Sequence, residues 1–213
     1  MAMIRKSNAT SKPTNFSFDF RNLLPKDGFL YYLPEIFNAE ESAILFETIR
    51  TETSWNQQSI KIYGRKVMQP RLTSWVADPE INIRYSGITM EPNPWTESLL
   101  KIKKISEEKT NQDFNGVLLN YYRDGQDTMG WHSDDEKELG ENPIIVSISF
   151  GETRDFQIKH KEQKTLKLNL ALEKGSMLIM GGKSQSCWSH AVPRRTRVKD
   201  ARINLTFRHM KNR

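Results

Sequence analysis

The sequence has little cysteine, few histidines and no long hydrophobic run. Its one cysteine, Cys187, excludes an internal disulfide, and a reducing compartment is the natural setting. No uninterrupted apolar stretch approaches the roughly 20 residues of a membrane-spanning helix. Nor does an apolar segment follow Met1 as a secretory signal would require. There is no internal repeat, and low complexity and disorder are excluded as descriptions of the whole chain. What remains is 213 residues with 37% hydrophobic and 27% charged positions, enough for one domain with a sizeable core and no staples.

Net charge is +6, from 32 basic and 26 acidic residues. The excess sits at one end. Arg194, Arg195, Arg197, Lys199, Arg202, Arg208, Lys211 and Arg213 face a single acid, Asp200, while the rest of the chain is close to neutral. An anionic partner is one reading, and a solvated basic tail is the other.

Residues 1–28 are polar and without period, which reads as a flexible extension. Ordered structure is expected from the apolar run Phe29–Leu33. Asn38 followed by Glu41 has the form of a capping box, opening a helix whose buried stripe would be Ala43, Ile44, Leu45, Phe46 and Ile49. Residues 55–95 are rich in aromatics and turn formers, with short strands near 59–63 and 84–85. A second helix follows from Trp95, Leu99, Ile102 and Ile105 at spacings of four, three and three, with Lys101, Lys103 and Lys104 outward. From Gly116 the pattern changes to short strands at 117–122, 144–150, 155–160, 165–170, 176–180 and 201–208, separated by turn residues. That spacing predicts a β-sandwich or jelly roll with the two helices packed outside.

The last strand carries chemistry. Strand side chains alternate, so Arg202, Asn204, Thr206 and Arg208 share one face, and Ile203, Leu205 and Phe207 the other. If the polar face points into a barrel, two guanidiniums there need an anion. Asn120 and Tyr122 share a face of another strand. His132-Ser133-Asp134 sets an imidazole and a carboxylate on one side of an extended segment, and His190 follows later. Two histidines and a carboxylate suit non-haem Fe(II) and leave positions open. His160 and His209 read as ordinary hydrogen-bonded residues, and Cys187 as a small buried hydrophobe.

The ordered set Leu119-Asn120-Tyr121-Tyr122-Arg123-Asp124-Gly125, His132-Ser133-Asp134-Asp135-Glu136, Val146 to Gly151, Arg154-Asp155-Phe156, His190 and Arg202 to Arg208 resembles the AlkB family of Fe(II)- and 2-oxoglutarate-dependent nucleic-acid dealkylases. The resemblance covers about residues 30–210 and is nearest the branch that repairs duplex DNA. It implies a mainly β fold: a double-stranded β-helix (jelly-roll) core over 116–213, flanked by helices and a nucleotide-recognition lid within 29–115. By resemblance, His132, Asp134 and His190 hold Fe(II). Arg202, helped by Tyr122, pairs with the distal carboxylate of 2-oxoglutarate, and Arg208, Asn120 and Asn204 hold its other end. The implied reaction uses O2, splits 2-oxoglutarate into succinate and CO2, and hydroxylates an N-alkyl carbon. The hemiaminal then collapses to the repaired base and an aldehyde, formaldehyde for a methyl group.

1-Methyladenine and 3-methylcytosine in DNA are the expected substrates. The alternatives are methylated RNA, or a nucleic-acid-binding module with a vestigial site. Tyr85 is expected to stack the flipped base against His132, Trp75 to line the same lid, and Glu136 to sit near the exocyclic amine. Methylation makes these bases cationic, which aromatic faces attract, and reaching a base inside a duplex requires flipping it out. Tyr63, where the family usually has an apolar Phe, is the expected wedge into the base stack. Arg194, Arg195, Arg197 and Lys199 are the expected phosphate contacts. A monomer with no membrane partner is expected, cytoplasmic in a bacterium or nuclear in a eukaryote.

Overall fold

The capping box forms as its residues dictate. Asn38 Oδ1 accepts from the Glu41 amide at 2.9 Å, and Glu41 Oε2 accepts from the Asn38 amide at 3.1 Å. This starts α1 (Ala39–Glu52), which follows β1 (Phe29–Leu33). The computed structural model describes residues 21–62, 65–81, 83–85 and 88–211. After α1 come β2 (Ser59–Ile62), β3 (Arg65–Met68), β4 (Leu72–Ala77), β5 (Ile83–Tyr85), β6 (Ile88–Met90) and α2 (Glu97–Thr110). Then follow β7 (Gly116–Tyr122), β8 (Met129–His132), β9 (Ile145–Gly151), β10 (Arg154–His160), β11 (Lys167–Leu172), β12 (Ser176–Gly181), the short α3 (Ser184–Cys187), β13 (Trp188–Val192) and β14 (Arg202–Arg208).

A six-stranded antiparallel sheet runs β1-β12-β9-β14-β7-β4, and a four-stranded one β11-β10-β13-β8. This is the jelly-roll architecture expected. The larger sheet draws β1 and β4 from ahead of residue 116. The pairs β2–β3 and β5–β6 form two small hairpin sheets of their own.

The larger sheet is covered on both faces. Toward the helices, Val117 and Leu119, Val146, Ile148 and Phe150, Met177 and Ile179, and Ile203, Leu205 and Phe207 pack with Leu45, Ile49, Leu99 and Ile102. Each such side chain contributes about 1.5–3 kcal/mol on burial. On the opposite face, Leu118, Tyr122, Leu178 and Met180 meet Phe156, Ile158, Leu172 and Trp188 of the smaller sheet and its surroundings. β14 is therefore buried along its whole length. Its apolar residues serve the helix-side core and its polar residues face the interior, as their alternation requires.

The helix stripe on α1 differs from expectation. Ser42, Leu45 and Ile49 are buried, while Ala43 and Ile44 are exposed. An α-helix turns 100° per residue, so five consecutive-looking apolar positions cannot all face inward. Ser42 takes the inner place and donates to the Phe37 carbonyl at 3.4 Å. The α2 stripe, Leu99 and Ile102 with Trp95 and Ile105 half-buried, forms as expected.

Candidate metal and 2-oxoglutarate site

His132 closes β8 and His190 is central in β13, directly opposite it in register. β8 and β13 fall out of step between His132 and Met129, where Gly130 and Trp131 face the single Ala191, which marks a bulge. Their rings lie 4.2 Å apart, centroid to centroid. Asp134 follows β8 in a segment anchored twice. Ser133 Oγ donates to the Trp188 carbonyl at 2.8 Å, and the Asp134 amide donates to Gln185 Oε1 at 3.0 Å. The ligating atoms of His132, Asp134 and His190 all lie within 4.8 Å of one another.

Their protonation suits a cation. His132 Nδ1 faces the Gly130 carbonyl at 2.8 Å. A carbonyl only accepts, so Nδ1 carries the proton and Nε2 offers its lone pair. Burial, then His132 beside it, pulls His190 down to about 3, so that imidazole is neutral. Burial alone would raise the Asp134 carboxyl, but Arg208, His190 and His132 together hold it below the ordinary carboxylate range. Arg208 Nη2 donates to Asp134 Oδ1 at 2.6 Å and so orients the carboxylate from behind. A neutral His190, the Nε2 of His132 and one ionised carboxylate make up the donor set of non-haem Fe(II).

The cavity beside this cluster is lined by Asn120, Tyr122, Arg202, Asn204, Thr206 and Arg208, among others. Arg202 is 1% exposed. Its Nη2 donates to Ser149 Oγ at 2.9 Å and its guanidinium lies over the Tyr122 ring, but Nε and Nη1 have no hydrogen-bond partner among the described residues. Burial draws it down to about 10, with Tyr122 pulling the other way, so it stays charged at neutral pH. A buried guanidinium with two idle donors fits a carboxylate fork. The lining holds two guanidiniums against the single Asp134 carboxylate; a divalent cation adds two charges, and a dianion such as 2-oxoglutarate offsets most of the total.

The family profile described as the 2OG-Fe(II) oxygenase superfamily matches residues 29–208. The chain belongs to that superfamily. Within it the relatives are AlkB-like. The chain is 40% identical over 184 residues to the alpha-ketoglutarate-dependent dioxygenase alkB homolog 3 of Bos taurus, covering 82% of this chain and 64% of that protein. It thus spans a little under two thirds of that relative's length. It is 34% identical to the DNA oxidative demethylase ALKBH2 of Mus musculus, over 81% of this chain and 77% of that one. The solved structure of OsALKBH1 shares the fold, with a TM-score of 0.62 at 18% identity, covering 84% of this chain and 96% of that chain.

Other residues of this AlkB-like chain fall differently from the sequence expectation. Trp75 does not line a lid. It is wholly buried in β4, its indole N–H donates to the Ile81 carbonyl at 2.9 Å, and its ring lies against Gly116. β4 pairs with β7 at the edge of the larger sheet, which directs Trp75 into the core. Tyr63 lies outside the described residues, as does the Tyr85 side chain. Glu136 is half-buried, its Oε2 without a hydrogen-bond partner among the described residues, and burial raises its carboxyl despite Arg208 nearby. Arg195 is engaged by Asp155, and Arg194 by Gln126. Arg197 and Lys199 are exposed. Cys187 is half-buried rather than enclosed.

Three supporting residues were given no role from sequence. Arg71 donates from Nε to Asn120 Oδ1 at 2.7 Å. Arg154 bonds the Asp124, Asp127 and Pro193 carbonyls and lies over Tyr122. Gln185 anchors Asp134. A lone arginine in an otherwise apolar or β-branched stretch, such as Arg71 before Leu72 and Thr73, is the signal that was available.

Two other places compete for attention and fail on chemistry. Asp27, His160 and Cys187 also gather within 4.8 Å. His160 Nδ1 accepts the Glu162 and Gln163 amides at 3.2 and 3.0 Å, so Nε2 holds the proton and donates to Asp27 at 3.2 Å. That is a hydrogen-bonded clamp whose imidazole has no lone pair left for a metal. A roomier cavity of about 940 Å³ lies beside α1. Glu35, Glu47, Glu152, Glu173 and Asp200 there face only Arg50 and Lys174, a field that repels 2-oxoglutarate and nucleic acid alike.

Proposed function

We propose that the protein is an Fe(II)/2-oxoglutarate-dependent dioxygenase that oxidatively dealkylates N-alkylated bases in DNA, such as 1-methyladenine and 3-methylcytosine. The observation that carries this reading is the pairing of a His132–Asp134–His190 cluster with an idle, buried Arg202 guanidinium in one cavity. His132, Asp134 and His190 would hold the metal. Arg202, with Tyr122, would take the distal carboxylate of 2-oxoglutarate, and Asn120, Asn204 and Arg208 the metal-proximal end. Bound together, Fe(II), 2-oxoglutarate and O2 supply the oxidising power to hydroxylate an N-alkyl carbon, yielding succinate, CO2 and, for a methyl group, formaldehyde.

The chain's own residues supply orientation and a dry site. Arg208 fixes Asp134. The Gly130 carbonyl fixes the His132 tautomer. Phe156 stacks on His190 at 5.1 Å and keeps water from that side. The half-buried Glu136 suits the exocyclic amine of a base. The hairpins β2–β3 and β5–β6, apart from the two main sheets, suit the nucleotide-recognition lid, with Tyr85 as stacking residue and Tyr63 as wedge. Arg197 and Lys199 suit phosphate. The name of the ALKBH2 relatives supports DNA as substrate.

The test is mass spectrometry of singly methylated DNA and RNA oligomers, single- and double-stranded, after incubation with Fe(II), 2-oxoglutarate and air. Loss of one CH2 unit from DNA is the expected result. Loss from RNA alone moves the substrate to RNA, and no loss from any of the four refutes dealkylation.

A further inference from the structure

Trp131 is an anomaly for the fold. It precedes His132, is 46% exposed, and belongs to neither hydrophobic core. Along a strand, neighbouring side chains take opposite faces. His132 lines the cavity, so Trp131 stands on the outer face of the smaller sheet. Its ring is covered by the Lys159 ammonium, 3.9 Å from the ring centroid. Lys159 lies directly opposite Lys167 on β11, and Lys167 is exposed. Asp155, an acid of the same strand as Lys159, is already engaged by Arg195 and by Asn169 at 3.2 Å. The outer face therefore presents an exposed indole and two lysines, neither of which forms an ion pair among the described residues.

We propose that Trp131, Lys159 and Lys167 form a subsite for an unpaired nucleotide flanking the base in the cavity, the indole stacking on its base and the lysines meeting its phosphate. The inference deepens the dealkylase reading and rests on it. Sheet topology supports it. β8 is the end strand of its sheet, and a polynucleotide can wrap an edge where it could not pass through a sheet. A base against His132 and its neighbour against Trp131 would then straddle the edge of β8. Base stacking on an exposed aromatic, with cations along the backbone, is the general mode of single-strand binding. A base within a duplex has both faces occupied by its stack, so the subsite selects an unstacked flank. An ammonium resting on a ring can swing to a phosphate at little cost, because lysine holds four rotatable carbons behind it.

The experiment measures binding of fluorescently labelled, unmethylated oligomers to the full chain by anisotropy, at several salt concentrations. DNA and RNA single strands of one sequence and the DNA duplex serve as probes. Trp131→Ala is expected to bind single strands roughly tenfold more weakly, within the range for losing one stacked base. Trp131→Phe should recover most of that loss, since a smaller ring still stacks. Lys159→Ala should reduce the salt slope by about 0.7, one phosphate contact on a single strand. Comparison of the DNA and RNA arms assigns the preferred sugar. The proposal is overturned if Trp131→Ala binds single strands like the parent, if it weakens duplex binding equally, if the parent binds no oligomer, or if Trp131→Ala melts several degrees lower and Trp131→Phe does not restore it. A parent that binds with these properties but removes no methyl group refutes the dealkylase reading and leaves the subsite standing.

Discussion

Replacing Arg202 by methionine should make the protein without 2-oxoglutarate more stable and the same protein unresponsive to 2-oxoglutarate. Burial pulls the guanidinium down to about 10, well below the ordinary arginine value. The sign follows from the two states. Below about pH 10 the group is charged folded and unfolded, so the full burial penalty opposes folding at neutral pH and is relieved only as pH rises through the folded value. At 1.36 kcal/mol per unit that penalty is about 3 kcal/mol. Methionine fills similar space without charge, while loss of the bond to Ser149 Oγ returns about 1 kcal/mol. A net gain of about 2 kcal/mol corresponds to a melting temperature about 4–8 °C higher for a chain of this size. The opposite holds with ligand. Truncating one partner of a buried charge pair costs about 2–5 kcal/mol of binding, so KM for 2-oxoglutarate should rise on the order of a hundredfold, and the thermal shift that 2-oxoglutarate gives the parent should vanish at the same concentration. Melting curves with and without 2-oxoglutarate read both effects. A variant that melts below the parent in buffer alone, or that keeps the ligand-induced shift, would refute the view of Arg202 as a charge held ready for an absent anion.

Asp134→Ala should abolish turnover and the visible absorption of bound Co(II), since it removes both a proposed metal ligand and a partner of Arg208; activity in this variant would sink the ligand assignment. Trp75→Phe should lower stability by about 2–3 kcal/mol, from the orphaned Ile81 carbonyl and the space left beside Gly116, without altering KM for a methylated oligomer; a changed KM with unchanged melting would return Trp75 to the lid. Gly125→Ala should disturb the basic loop after β13, because a Cβ there would stand 1.7 Å from the Arg195 carbonyl oxygen. Weaker oligonucleotide binding with 2-oxoglutarate KM unchanged is the expected outcome, and parental binding counts against that loop as a phosphate contact.

The parts of the fold that could be read from sequence are those where one local signal was enough. The Asn38–Glu41 box, the Leu99–Ile102 stripe and the alternation of β14 each depend on a short-range period, and each appears where that period puts it. β4, β8 and β13 were less legible, for physical reasons. β4 is buried on both faces, so Leu72–Ala77 lacks the alternation of a half-exposed strand. β8 has four residues including Gly130 and a bulge. β13 follows a four-residue helix with no side-chain cap. Trp75 was misplaced because an aromatic in a turn-rich stretch looks the same whether it faces a ligand or a core. Only its tertiary partners, the Ile81 carbonyl and Gly116, decide between them.

The basic C-terminal run shows why counting charge says less than placing it. Arg202 and Arg208 belong to the strand facing the cavity and are 1% and 2% exposed. Arg195 is engaged by Asp155 on the outer face, while Arg197 and Lys199 remain in solvent. One short segment therefore holds both buried and exposed cations, which the proposed function assigns to a small dianion and to a polyanion respectively. The two respond oppositely to salt. Screening falls off where water is excluded, so raising ionic strength should weaken oligonucleotide binding while leaving KM for 2-oxoglutarate nearly unchanged. Equal salt sensitivity of the two would mean that Arg202 meets solvent in the working enzyme, and the division of the basic run into an inner and an outer group would fail.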